Sequence, residues 1–238
     1  MSSGWLRKSS VTGLIEKAKN ETVMLRTAII GCGKIAGGYD LGMSAEWVMT
    51  HASAYRHCKD TNLVAIADTS LEALNSFGEK WSVQKRYQDY REMLSREKLD
   101  IVSICLPTEM HREVFEVACR HQVAAIFMEK PLAYTSDDIK AMLHVSSEKI
   151  VAVNYFRRWN STLQEIVDRL HNGEYGVLRA ASIYYQKGIL NNGSHAIDMM
   201  RWFFGEPANT AFTGTAFDDE KDPGLDFVLT FNNGAKAV

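Results

Sequence analysis

The feature that most constrains the fold is a short apolar run, residues 25–30, that ends without a spacer in Gly31-Cys32-Gly33-Lys34-Ile35-Ala36. A run of this length and composition reads as a buried strand. The residues after it match the G-x-G-x-x-A turn that carries a strand into a helix at a dinucleotide pyrophosphate. In that turn Gly31 permits the tight bend, Gly33 keeps a Cβ out of the path of a phosphate, and Ala36 lets the helix lie close to the strand. The helix start offers free amides and partial positive charge. Glycine-rich turns follow strands in many folds, so the downstream pattern decides what this one means.

Downstream, Leu63-Val64-Ala65-Ile66-Ala67-Asp68 is a second apolar strand that closes on an acid. In a mononucleotide-binding unit this carboxylate accepts hydrogen bonds from the ribose hydroxyls and repels a 2′-phosphate, which favours NAD over NADP. Asp68 comes later after the glycines than the roughly 20 residues usual for such an acid. The excess predicts an insertion over residues 37–50, rich in glycine around Gly37, Gly38 and Gly42, with the helix resuming near His51 and ending around Cys58. Such a loop either lines a pocket or is a passive excursion.

Helical spacing at Leu71, Leu74, Phe77 and Trp81 is followed by a short strand near 83–86, a helix around Tyr90, Met93 and Leu94, and a strand over 100–105. Leu106-Pro107-Thr108 follows, with Thr108 expected to cap a helix carrying His111, Val114 and Ala118. The next apolar run, 124–128, stops abruptly at Glu129-Lys130-Pro131. Proline leaves no amide for a ladder, so Lys130 belongs at the strand's carboxyl end, where open α/β sheets bind ligands. It is either a catalytic amine or a surface lysine ending a core strand. A helix over 136–146 and a strand over 150–154 complete the alternation, which calls for a parallel sheet with helical crossovers.

Beyond Asn154 the pattern changes. A helix over 161–171 is followed by an alternating stretch, 177–186, that predicts a long antiparallel strand with one covered face. A second helix then carries His195 and Asp198 on one face, with Asn191 one turn before, and ends at Gly205. Strands are expected over 210–217 and 226–231, with a hairpin turn at Asn233-Gly234.

The expected fold class is therefore α/β: an N-terminal Rossmann domain with a doubly wound parallel sheet, then an α+β substrate domain with a mainly antiparallel, truncated sheet. The expected boundaries are an extension at 1–23, a dinucleotide-binding domain at 24–153 and an incomplete substrate and oligomerisation domain at 154–238. The extension reads as an amphipathic arm or, more simply, as residues without a fold role.

Composition narrows the partners. A net charge of −2 provides no basic field, so nucleic acid and anionic membranes are poor partners and small molecules better ones. The four cysteines form no C-x-x-C pair and the seven histidines no H-x-x-x-H, which argues for reduced thiols in a cytoplasm and against a metal site.

Together these motifs resemble the Gfo/Idh/MocA family of NAD(P)-dependent sugar and inositol oxidoreductases. The resemblance runs through the glycine turn, Asp68, Leu106-Pro107-Thr108 with His111, Glu129-Lys130-Pro131, Asn154 with Arg157-Arg158, and His195-Ala196-Ile197-Asp198 before Trp202 and Gly205. It implies a homo-oligomer that binds NAD through Gly31, Gly33, Lys34, Ile35, Asp68, Leu106, Pro107, Thr108, His111, Glu129, Lys130 and Arg158. It implies a sugar-like substrate held by Lys130, Asn154, Tyr155, Asn191 and His195. Lys130 and His195 are the implied catalytic pair, with Asp198 orienting His195 or pinning its helix. Many family members carry an aspartate where this chain has Asn191; an amide holds a hydroxyl but cannot take its proton. A glycosidase that recycles bound NAD and a dinucleotide-binding regulator are the rival expectations.

Overall fold

The computed structural model describes residues 24–40, 48–146, 148–217 and 220–238; the extension at 1–23 and the loop around Gly42 lie outside them. Contacts divide the chain into one unit ending at Asn154 and a second, Tyr155–Val238. The first holds strands β1 (Leu25–Ile30), β2 (Thr61–Ala67), β3 (Lys85–Tyr87), β4 (Ile101–Ile104), β5 (Ala125–Met128) and β6 (Ile150–Val153). All pairings are parallel, in the order β3-β2-β1-β4-β5-β6. The order reverses between β1 and β4, so the chain leaves these neighbours in opposite directions and a crevice opens beyond their carboxyl ends.

Both faces of this sheet are covered, which is why its central strands carry apolar runs rather than a strict alternation. Ala28 and Ile30 of β1 pack with Met93, Phe115 and Met142, whereas Ile29 faces Tyr55, Leu74 and Phe77. Helices α1 (His51–His57) and α2 (Leu71–Trp81) therefore cover one face, and α3 (Tyr90–Arg96), α4 (His111–Arg120) and α5 (Ser136–Val145) the other. Four of these helices start on a side-chain cap: Thr50, Ser70, Asp89 and Thr135. Each cap contributes about 1 kcal/mol.

In the second unit α6 (Ser161–His171) and α7 (Ser194–Phe204) accompany a four-stranded sheet. Its strands, β7 (Ala180–Ala181), β8 (Pro207–Phe217), β9 (Gly224–Phe231) and β10 (Lys236–Ala237), are ordered β7-β10-β9-β8. Pairing is antiparallel except for β7 with β10. Phe204 of α7 stacks on Phe231 of β9 with centroids 4.6 Å apart, beside Met200 and Leu229. The hairpin turn at Asn233-Gly234 forms as expected, with Gly234 at φ +80.

Three local expectations are corrected. Only Ala180 and Ala181 of the stretch 177–186 lie in a strand, because their partner β10 is itself two residues long. Tyr185, in the same stretch, uses its hydroxyl to bond both backbone groups of Leu225. Thr108 does not cap α4: it opens a 3₁₀ turn, Thr108–Met110, and neither that turn nor α4 has a side-chain cap. After the glycine turn the chain makes one π-type turn, Lys34–Gly38, before the helix resumes at His51. Asp40 closes that excursion by accepting hydrogen bonds from the Met49 amide and the Thr50 hydroxyl. A single turn aligns few peptide dipoles, so an anion beside it would depend on individual amides more than on a macrodipole.

Candidate functional site

The crevice of the first unit is built by two turns pressed against each other. A Cβ on Gly31, which has φ +93, would lie 2.5 Å from the Cys105 carbonyl oxygen. Only glycine fits there, because the turn after β1 touches the chain leaving β4. We expect Gly31→Ala to lower stability by about 2 kcal/mol or more through clash and backbone strain, measured by chemical denaturation. A variant as stable as wild type would show that the two turns are not in contact.

Gly33 differs. A Cβ there would meet nothing within 4 Å, so the backbone faces open space, and Gly33, Lys34 and Ile35 lie at a first turn whose amides have no intrahelical acceptor. That is the cradle a pyrophosphate requires. Asp68, one residue beyond β2, accepts hydrogen bonds from the amides of Cys32 and Ser70, both at 2.8 Å. Its carboxylate thus ties the end of β2 to the glycine turn. Burial, with Asp68 beside it, pushes the Cys32 thiol up to about 12, so the cysteine inside the fingerprint is an unreactive packing group.

His111 has no exposed surface; its Nε2 faces the Leu106 carbonyl at 2.9 Å and its Nδ1 those of Pro131 and Leu132 at 3.0 and 3.2 Å. His111 thus ties the loops that follow β4 and β5 together.

Glu129 and Lys130 follow β5. The Glu129 carboxylate is nearly buried, and its Oε1 accepts from the Asn154 amide at 2.8 Å and contacts His51 Nε2 at 2.9 Å. Its Oε2 accepts from the Lys130 backbone amide at 3.3 Å. Behind His51, Nδ1 lies 2.9 Å from the Ser103 hydroxyl, which lies 2.7 Å from that of Tyr55. Burial works against ionisation of Glu129, but the hydrogen bonds from His51 and Asn154, with smaller help from the charge on His51 and the Lys130 amide, hold its carboxyl below the usual range. The sequence reading missed His51, Tyr55 and Ser103. Two signals were available: His51 and Tyr55 are spaced i,i+4 on one helix, and Ser103 is the sole hydroxyl in an apolar strand.

In the second unit His195, only 7% exposed, lies at the first turn of α7 with the ring edges of Tyr155 and Phe156 against it, at centroid distances of 5.6 and 5.2 Å. Burial first, and then the Asp198 carboxylate, raise the Tyr155 phenol above its ordinary value. Asp198 is taken by Arg158, whose Nε donates to both carboxylate oxygens at 2.9 and 2.8 Å, so it pins α7 to the 3₁₀ turn Phe156–Trp159. Arg158 also lies over the Trp202 ring at 5.4 Å. Asn191 is exposed on the π-type turn Gly188–Gly193 that leads into α7. Asp222 holds that turn by accepting from the amides of Leu190 at 2.7 Å and Asn191 at 3.0 Å. No local sequence signal pointed to Asp222, 31 residues from Asn191.

Among the described residues no group of His, Cys, Asp and Glu is arranged to hold a metal ion, and no helix is long and apolar enough to cross a membrane.

A family model described as an oxidoreductase family with an NAD-binding Rossmann fold matches residues 25–155. Myo-inositol 2-dehydrogenase of Thermotoga maritima is 28% identical over 237 residues, which are 90% of this chain and 67% of that protein. D-apiose dehydrogenase of Paraburkholderia graminis is 27% identical over 85% of this chain and 56% of its own length. Among solved structures, an oxidoreductase from Agrobacterium radiobacter in complex with NAD+, L-tartaric acid and magnesium matches with a TM-score of 0.75 at 24% identity. That match covers 90% of this chain and 65% of the other, and at this identity it bears on the fold alone. This chain therefore spans between 56% and 67% of the length of these relatives.

Proposed function

Because the chain belongs to the Gfo/Idh/MocA family of oxidoreductases with an NAD-binding Rossmann fold, we propose that it is an NAD-dependent dehydrogenase or reductase acting on a CH–OH group of a sugar, nucleotide sugar or cyclitol. The observation that carries this reading is the presence, at the carboxyl ends of β1, β2 and β5 of one parallel sheet, of an open glycine cradle closed by Asp68 and a buried carboxylate that fixes the backbone of Lys130. The relatives that act on myo-inositol and D-apiose support the substrate class. Four free cysteines fit a reducing, cytoplasmic setting, and a homo-oligomer is part of the same reading.

In this reading the first-turn amides at Gly33, Lys34 and Ile35 bind the pyrophosphate, and Asp68 accepts from the adenosine ribose. Leu106, Pro107 and Thr108 form the opposite wall. The bound nicotinamide supplies the hydride acceptor or donor. Lys130 holds an ammonium at the substrate oxygen and stabilises the developing alkoxide. His195 takes the hydroxyl proton during oxidation and returns it during reduction. Asn191 and Tyr155 hold neighbouring hydroxyls. Asn154 acts through Glu129, and Arg158 is held in place by Asp198.

Cofactor choice tests the first half. We expect NADH to bind at least roughly tenfold more tightly than NADPH, as measured by fluorescence quenching, because a 2′-phosphate would meet the Asp68 carboxylate. Asp68→Asn keeps an acceptor for the Cys32 amide while removing the charge, and should narrow the gap. Equal binding of both cofactors by the wild type would overturn the assignment. Incubation with NAD and myo-inositol, D-apiose or a nucleotide-sugar panel tests the second half through net NADH formation; tight NADH binding without turnover on any of them would favour a regulator.

A further inference from the structure

We propose that His51 is a positioning residue for Lys130, acting through Glu129; the catalytic meaning of this inference rests on the proposed role of Lys130. Glu129 is held as a carboxylate, so it can only accept hydrogen bonds, and His51 Nε2, 2.9 Å from Oε1, must carry the hydrogen. On the far side of the ring Nδ1 lies 2.9 Å from the Ser103 hydroxyl, which lies 2.7 Å from that of Tyr55. The contacts form one continuous chain from Tyr55 through Ser103 and His51 to Glu129.

Each member comes from an element that cannot shift easily. Ser103 lies inside β4 with no exposed surface, His51 and Tyr55 are on the buried face of α1, and the His51 ring packs at 4.7 Å on Phe127 of β5. Glu129 is the outlet of this chain. Its second oxygen takes the Lys130 amide, so it sets where the backbone goes as it leaves β5. The His51 side chain is thereby coupled, through Glu129, to the backbone of a lysine 79 positions later. His51 has a polar partner at each nitrogen, and one of them, Glu129, also accepts from the backbone amide of Lys130.

Backbone hydrogen exchange of the full chain tests this without a substrate. In His51→Leu the amides of Glu129 and Lys130 should exchange roughly tenfold faster, while those of Ala28–Ile30 in β1 stay within about twofold of wild type. His51→Gln, whose amide can donate to Glu129 as Nε2 does, should restore exchange to within about threefold of wild type. If His51→Leu leaves the two amides unchanged, or speeds β1 equally, the histidine is a general core residue and the inference fails. If His51→Gln exchanges like His51→Leu, the proposed donor role fails. Where NAD turnover is found, His51→Leu should lower kcat with KM and NADH affinity within about twofold of wild type. Full turnover by Lys130→Met would instead overturn the catalytic reading and leave the exchange result standing.

Discussion

Lys130→Met and His195→Asn each lower turnover by roughly 10²-fold or more, the usual loss for a preorganised charge or a general acid/base, while NADH binding stays within about threefold. Methionine keeps most of the lysine stem, so the half-buried position after β5 stays filled and only the ammonium is lost. The backbone there is held by Glu129, whose bonds to His51 and Asn154 do not involve the lysine side chain. Asparagine at 195 keeps a polar side chain beside Tyr155 and Phe156 but has no titratable nitrogen. Helix α7 remains anchored by the Arg158–Asp198 pair and by Asp222 at its entry. Both variants should therefore fold, and circular dichroism with NADH titration checks this. Asn191→Ala should raise KM more than it lowers kcat, because an amide orients but does not transfer a proton. Wild-type turnover by both variants would remove the proposed pair.

What was legible in the sequence follows from the range of the forces involved. The central parallel strands were readable because burial on both faces makes each a mainly apolar run, and the helices of the first unit because their apolar spacing is local. The glycine turn and Asp68 were legible for the same reason, although the tether from Asp68 to the Cys32 amide was not, since it joins residues 36 apart. The stretch 177–186 misled because alternation reports one covered face and says nothing about how long a partner strand runs beside it. The helix of His111 was expected, but its contacts with the Leu106 and Pro131 carbonyls were not legible, because they depend on the loops after β4 and β5. The Tyr55–Ser103–His51–Glu129 chain went unread because its members come from α1, β4 and the residue after β5, and the local signals at His51, Tyr55 and Ser103 do not say that these residues meet.

The same chain leads to the largest expected effect on stability. Glu129→Leu fills much of the carboxylate's space but leaves His51 Nε2 and the Asn154 amide buried without their acceptor. The loss should be about 2–3 kcal/mol, a fall in Tm of roughly 8 °C for a unit of this size. Glu129→Gln should cost less, about 1 kcal/mol, because its carbonyl can still accept from both while its NH2 is forced against the Lys130 amide. The pH dependence has a definite sign. Because the folded carboxyl titrates below its unfolded value of about 4.3, the stabilisation is complete above that value and is lost as pH falls through the lower, folded one. Denaturation of wild type and Glu129→Leu at neutral pH should show the full gap, and the gap should shrink on acidification below about pH 4. A gap that stays constant through that range would mean that Glu129 takes up its proton at the same pH folded and unfolded, so that the network does not favour the carboxylate, and a gap near zero at neutral pH would mean that the network does not hold the end of β5.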